Sequence, residues 1–288
     1  MKSIKKLKFI ARLKAWGQVA GTLLSWFLIM AILSVVPFVI DKDLVESDVV
    51  GQAVMFAATI LTAFIWSRYI YRERFKRIGI SSFCSSGWRE LLWGIFYGGV
   101  SVAVGFLICY LCGIIGVNGI GYPSDFLIYF GVMVMVGISE ELLCRGYVMR
   151  RFAKVYGNVW AIVISSAIFM AMHMFNDSLT IIAFLNLFLA GVLFGVAYMV
   201  TKSLWLPIGM HFAWNFVQGP VLGYSVSGSV IGSVVRQTPA TGPDWISGGA
   251  FGFEGSLLCS AIVLILILIL YVFHRKKSSY TTSEIVSQ

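Results

Sequence analysis

Two adjacent acids, two histidines, an arginine and an asparagine stand out in this chain because each lies inside an apolar run. Glu140, Glu141 and Arg145 fall in GISEELLCRGYVMR, His173 in FMAMH, and His211 and Asn215 in HFAWNF. An ionisable side chain in a spanning helix costs ~2.5–3.5 kcal/mol on insertion scales, so such residues are functional candidates by default. Helical spacing relates them to one another. Glu141 and Arg145 are four apart with the acid first, the favourable order for an intrahelical ion pair. Glu140 is rotated by about 100° from Glu141 on the same helix, which leaves its carboxylate free for chemistry. His211 and Asn215 are also four apart and point toward one spot. Phe169 precedes His173 by four and reads as a packing partner for the imidazole. A carboxylate in low dielectric can act as a base on water, and His and Asn donors can stabilise an oxyanion. The bland alternative is polar glue between helices, at ~0.6 kcal/mol per bond. Six such groups confined to three helices favour chemistry. The third histidine, His274, sits beside Arg275 at the edge of an apolar run and reads as interfacial.

The elements that must hold these groups are read from composition. The chain has 288 residues, 59% apolar and 12% charged, with a mean hydropathy of +0.87. That polar fraction cannot cover a soluble domain of this size, so the solvent must be largely lipid. Apolar windows fall at about 17–40, 49–67, 91–116, 126–149, 157–175, 179–200, 205–222 and 256–273, each near the ~20 residues that a span needs. The expected fold class is therefore all-α: a polytopic transmembrane helical bundle of about eight spans. Of the 22 Lys and Arg, nineteen lie in the N-terminal tail, 68–90, 150–156, 201–204 and the C-terminus. The intervening segments hold only Lys42 and Arg236, and Arg145 is inside a span. This alternation puts both termini in the cytoplasm of a multi-pass protein of the cell membrane, read here as a bacterial cytoplasmic membrane. It also accounts for the net charge of +9 without a nucleic-acid partner.

The chain divides at this level into 1–90 (basic tail, two spans and a basic cytoplasmic segment), 91–222 (the helical core with the polar residues) and 223–288 (an external loop, the last span and a tail). The run at 17–40 is too long for the apolar core of a signal peptide and reads as the first span. Segment 68–90 is expected either to lie along the inner membrane surface as an amphipathic stretch or to be a solvated loop. Segment 223–255 carries eight glycines and is read as a lid or a passive link. Cys109 and Cys112 form a C-x-x-C inside an apolar run with no second pair, which reads as packing rather than metal or redox chemistry. Depth along the helices gives a less tidy picture. At ~1.5 Å per residue, Glu140 lies about 15 Å from Arg150 and His211 about 10 Å from Ser203, but His173 comes out at roughly 24 Å from Gly157.

E-E-x-x-x-R (Glu140, Glu141, Arg145), F-x-x-x-H (Phe169, His173) and H-x-x-x-N (His211, Asn215) together resemble the CAAX prenyl protease and bacteriocin-processing family of intramembrane proteases, over about residues 88–222. Cys144 departs from the Phe that many relatives carry before the Arg. The resemblance implies a helical bundle that hydrolyses a peptide bond of a membrane-embedded peptide or a lipidated protein. Under it, Glu140 and His173 prepare the attacking water, His211 and Asn215 form the oxyanion site, and Glu141 and Arg145 orient the set. It leaves room for one divalent metal such as zinc, with Glu140, His173 and His211 as candidate ligands, although H-E-x-x-H is absent. No G-x-S-x-G or G-x-G-D of other intramembrane proteases is present, since Gly223-Tyr224-Ser225-Val226-Ser227 ends in Ser. The competing classes are a non-catalytic immunity or partner-binding protein and a proton-coupled transporter.

Overall fold

The structure is a computed structural model that describes residues 2–41, 43, 47–73, 78–80 and 83–286, with side chains described between Ile4 and Val272. Lys42, Arg74, Lys76 and Arg77 lie outside the described residues. So do the side chains of Lys2, His274, Arg275, Lys276 and Lys277.

Each of the eight apolar windows falls on a helical stretch. The α-helices are α1 (Lys2–Ile40), α2 (Asp48–Ile65), α3 (Trp88–Leu111), α4 (Phe126–Glu141), α5 (Arg150–Tyr156), α6 (Asn158–Met172), α7 (Ile181–Thr201), α8 (Trp205–Phe216) and α9 (Leu257–Val286). α4 runs into α5 through wider π-helical turns at Leu142–Met149, so that Phe126–Tyr156 is one continuous rod. Five of the stretches are long and apolar enough to cross a membrane, while α6 and the apolar part of α9 are shorter. The protein is thus a largely helical, multi-pass membrane protein. α1, at ~1.5 Å per residue, is about 58 Å long, well beyond the ~30 Å of bilayer hydrocarbon. Its basic first turns therefore continue past the membrane as helix rather than as a tail.

Close packing of small residues sets the interior. Gly94 and Gly98 of α3, four apart, let that helix lie directly against α8. A Cβ on Gly94 would stand 2.3 Å from the Leu206 carbonyl oxygen, and one on Gly98 2.2 Å from that of Met210. Gly191 and Gly195 of α7 repeat the device against Ser166 and Ile162 of α6. Small-x-x-x-small spacing of this kind is how spanning helices associate when lipid offers no hydrophobic driving force. α9 closes the bundle, with Val263, Leu266 and Leu270 in one core cluster with Leu187 and Phe194 of α7.

Three connections add detail to the expected fold. The all-α description misses a short antiparallel ribbon, β1 (Val117–Ile120) with β2 (Val235–Gln237), which ties the two weakly charged connections together. Pairing between segments so far apart leaves no local pattern in either. The described part of 68–90 is largely exposed but anchored at one point: Ile78 is buried in a cluster with Leu142, Tyr198 and Leu204, and the Leu204 N–H donates to the Gly79 carbonyl at 3.0 Å. Glu73 in the same segment pairs with Arg150, Arg151 and Lys154 at 3.1–3.4 Å. These three cations outweigh burial and hold its carboxyl below the usual value. Segment 223–255, finally, is a folded part of the molecule rather than a loose link. Phe251 and Phe253 are fully buried in the main core cluster beside Trp214 and Tyr224. Cys109 is buried and Cys112 exposed, both as free thiols.

Candidate active site

The site is built where α4, α6, α7 and α8 meet. Glu140 and Glu141 are the last residues of α4, and the π-helical turns begin at Leu142. Such turns add a residue to the helix and often mark functional positions. Arg145, within them, donates from Nη1 to Glu141 Oε1 at 2.8 Å and from Nη2 to the Gly191 carbonyl at 2.9 Å. Both members of this pair are wholly inaccessible, and the guanidinium lies over the rings of Phe169 and Phe194 at 4.7 and 5.3 Å. Glu141 has a second duty that spacing alone does not reveal: its Oε1 also accepts from Nδ1 of His211 at 3.0 Å.

The two imidazoles are oriented in parallel fashion. His173 caps the C-terminal end of α6, and its Nδ1 stands 2.8 Å from the carbonyl oxygen of Phe169, one of the last-turn carbonyls that a helix leaves unpaired. A carbonyl or carboxylate oxygen only accepts, so both Nδ1 atoms carry a proton, and in the neutral ring each Nε2 presents a lone pair. Those lone pairs turn toward Glu140: its Oε2 is 3.6 Å from His173 Nε2 and 3.9 Å from His211 Nε2. Oε2 is buried and has no hydrogen-bond partner of its own. Phe194 stacks on His211 with centroids 4.8 Å apart and planes 13° from parallel, while Phe169 packs on His173 at 4.7 Å as its spacing suggests. Asn215 lines the same cavity, one helical turn beyond His211, and its amide makes no hydrogen bond among the described residues. All six candidates are therefore brought together: Glu140, His173, His211 and Asn215 face the cavity, and Glu141 and Arg145 lie behind them.

The difference in depth between Glu140 and His173 closes once the rod is measured to its true end. The helix does not stop at Arg150 but runs on to Tyr156 before the turn at Gly157, where φ is +80°. Counted from that turn, Glu140 and His173 lie seventeen and sixteen residues away, about 26 and 24 Å at helical rise.

The cavity has a volume of about 470 Å³ and extends from the two histidines past Trp26 and Met30 of α1 and Met55 of α2. Its exposed lining residues, Phe27, Asp48, Phe175, Asp177 and Ser229, mark its mouth, and of these Asp48, Asp177 and Ser229 lie at chain segments opposite the basic ones. Two further polar residues belong to it. Glu254, in the segment between β2 and α9, lines the cavity, and its Oε2 accepts from the N–H and hydroxyl of Ser227 at 3.1 and 2.8 Å. Burial pushes this carboxyl above its usual range, opposed by Ser227 and by the fields of His173 and His211. Asn186 of α7 fastens that segment, donating to the carbonyls of Glu254 and Ser256 and accepting from Ser260. Asn186 satisfied the same criterion as the other candidates, a polar group in an apolar helix. Glu254 carried no such signal, because glycines surround it and no apolar period reaches it. Among the described residues no three His, Cys, Asp or Glu side chains are placed to hold a metal ion together.

This arrangement coincides with a matched family. Residues 122–217 match the Rce1-like family model, that of type II CAAX prenyl endopeptidases. The Rce1-like segment is about a third of the chain and contains Glu140, Glu141, Arg145, His173, His211 and Asn215. The resemblance to the CAAX prenyl protease family is therefore shown for the part of the molecule that carries the site. Asp48 and Glu254 of the cavity wall fall outside the Rce1-like segment. No curated protein and no solved structure matches the chain.

Proposed function

We propose that the protein is an intramembrane endopeptidase of glutamate type, acting on a membrane-embedded peptide or the tail of a membrane-associated protein in a bacterial cytoplasmic membrane, with both termini in the cytoplasm. The observation that carries this reading is the convergence of three acceptors, Glu140 Oε2 and the two Nε2 atoms, at 3.6 and 3.9 Å in a cavity. Those separations are too long for direct hydrogen bonds and suit a water molecule donating among them. Glu140 would take a proton from that water while its oxygen adds to the peptide carbonyl carbon. Asn215 would donate to the developing oxyanion. His211, its Nδ1–H held by the Glu141 carboxylate, would with His173 hold the water through the Nε2 lone pairs. Glu140 would then return the proton to the departing nitrogen as the C–N bond breaks.

The test compares the membrane peptidome of cells making the wild type with that of cells making Glu140→Gln. Peptide fragments that depend on Glu140 support the reading, and identical peptidomes sink it. In the glutamate reading the water is activated by Glu140 itself, so cleavage by the purified protein is expected to persist in a strong chelator. Loss of activity on chelation and its recovery on adding zinc would replace the glutamate reading with a metal-dependent one.

A further inference from the structure

The charge of the cavity runs against that of the chain. The protein carries a formal charge of +9, yet among the described residues no Lys or Arg lines the cavity, whereas Asp48, Glu140, Asp177 and Glu254 all do. Arg145, behind the Phe169 and Phe194 rings, is paired with Glu141 and has no exposure. Asp48 and Asp177 stand at the exposed mouth. Glu140 and Glu254 lie further in, where the walls between them are apolar and rich in methionine and aromatic rings, among them Trp26, Met30, Met55, Phe194 and Trp214. A low-dielectric wall focuses the field of such a set and raises the local concentration of cations. Methionine and aromatic surfaces adapt to varied apolar side chains. An occupant with a negative end would meet like charge and find no cationic partner, a penalty that excludes it more strongly than an attraction selects.

We infer that the substrate is a cationic, apolar peptide segment, whose Lys, Arg or amino-terminal charges rest near Asp48 and Asp177 while its apolar residues fill the cavity. The inference rests on the proposed reading only in placing a peptide in this cavity. The acids that define it lie largely outside the Glu140, His173, His211 and Asn215 set. Asp48 and Asp177 set which peptide enters, and the inner set acts on what has entered.

Binding tests this apart from turnover. Glu140→Gln protein in nanodiscs of zwitterionic phosphatidylcholine would be titrated with fluorescein-labelled Leu/Ala peptides, identical but for paired lysines, paired glutamates or paired glutamines at one end. The lysine peptide is expected to bind at least about tenfold more tightly than the glutamate peptide. Adding Asp48→Asn and Asp177→Asn should shrink that ratio to under about threefold at an unchanged melting midpoint. Equal binding of the three peptides, tighter binding of the glutamate peptide, binding of none, or a ratio that survives the double substitution would each overturn the inference. Selective binding of the lysine peptide that wild-type protein fails to cleave would leave the charge preference standing and remove the endopeptidase reading instead.

Discussion

At the scale of single residues, the two adjacent acids differ in what surrounds them rather than in chemistry. Glu141 is fixed by Arg145 on its own helix and by His211 from α8, whereas Glu140 Oε2 has no hydrogen-bond partner. Glu140→Gln is therefore expected to accumulate and melt like the wild type while cleavage falls at least ~100-fold, the lower end for losing a general base. Glu141→Ala should behave oppositely. It strands Arg145 in the interior, and breaking a buried pair costs ~3–5 kcal/mol, so lower abundance and a depressed melting midpoint in detergent should accompany lost activity. A Glu140→Gln protein that cleaves normally, or a Glu141→Ala protein that is stable yet inactive, would reverse these roles. The Glu141–Arg145 pair was legible in the sequence because a charge in an apolar helix is costly enough to need a partner, and spacing named it. The bond from His211 to Glu141 was not, since it joins residues seventy positions apart. Phe194, stacked on that ring, looked like any other apolar residue of α7.

At the scale of elements, the position of His211 depends on how closely α3 and α8 approach. Gly98 lies against the Met210 carbonyl, immediately before the histidine. Gly98→Leu forces the two backbones apart, and overpacking of this kind costs about 1–3 kcal/mol. The expected result is a lower melting midpoint, together with a cleavage rate per folded molecule that falls as His211 moves away from Glu140. Unchanged stability would mean that the helices separate without cost and that the contact is incidental. The segment between β2 and α9 allows a test by pH. Folded Glu254 holds its proton to a higher pH than the unfolded carboxyl, whose ordinary value is 4.5. Folding therefore takes up a proton as pH rises above that value, and this group's contribution to stability declines through the window. Glu254→Gln keeps an oxygen acceptor for Ser227 but cannot ionise. Its melting midpoint should rise relative to the wild type as pH increases from about 4.5 toward neutrality; two parallel curves would show that Glu254 ionises as freely inside as outside. Helix positions were readable in advance because apolar runs of span length have few other uses. The π-helical turns after Glu141 were not, for an extra residue per turn leaves no mark on composition.

At the scale of the whole molecule, the alternation of Lys and Arg predicts which face is which. With the native exposed thiols removed by Cys84→Ser and Cys112→Ser, a cysteine at Ser229 should react with a membrane-impermeant maleimide in intact cells, and one at Lys202 only after lysis. The reverse pattern would invert the protein and place the cavity mouth on the cytoplasmic side. The segment that Asn186 fastens also has a bearing on how the protein is made. A chain is synthesised from its N-terminus at ~5–20 residues per second, so Glu140, His173, His211 and Asn215 are all in place before Phe253, Glu254 and α9 exist. Until then Asn186 lacks its contacts to Glu254, Ser256 and Ser260, and one wall of the cavity is missing. Competence is thus acquired at the end of translation, and a nascent chain passes through the crowded insertion machinery before it has a finished cavity in which to hold a neighbour.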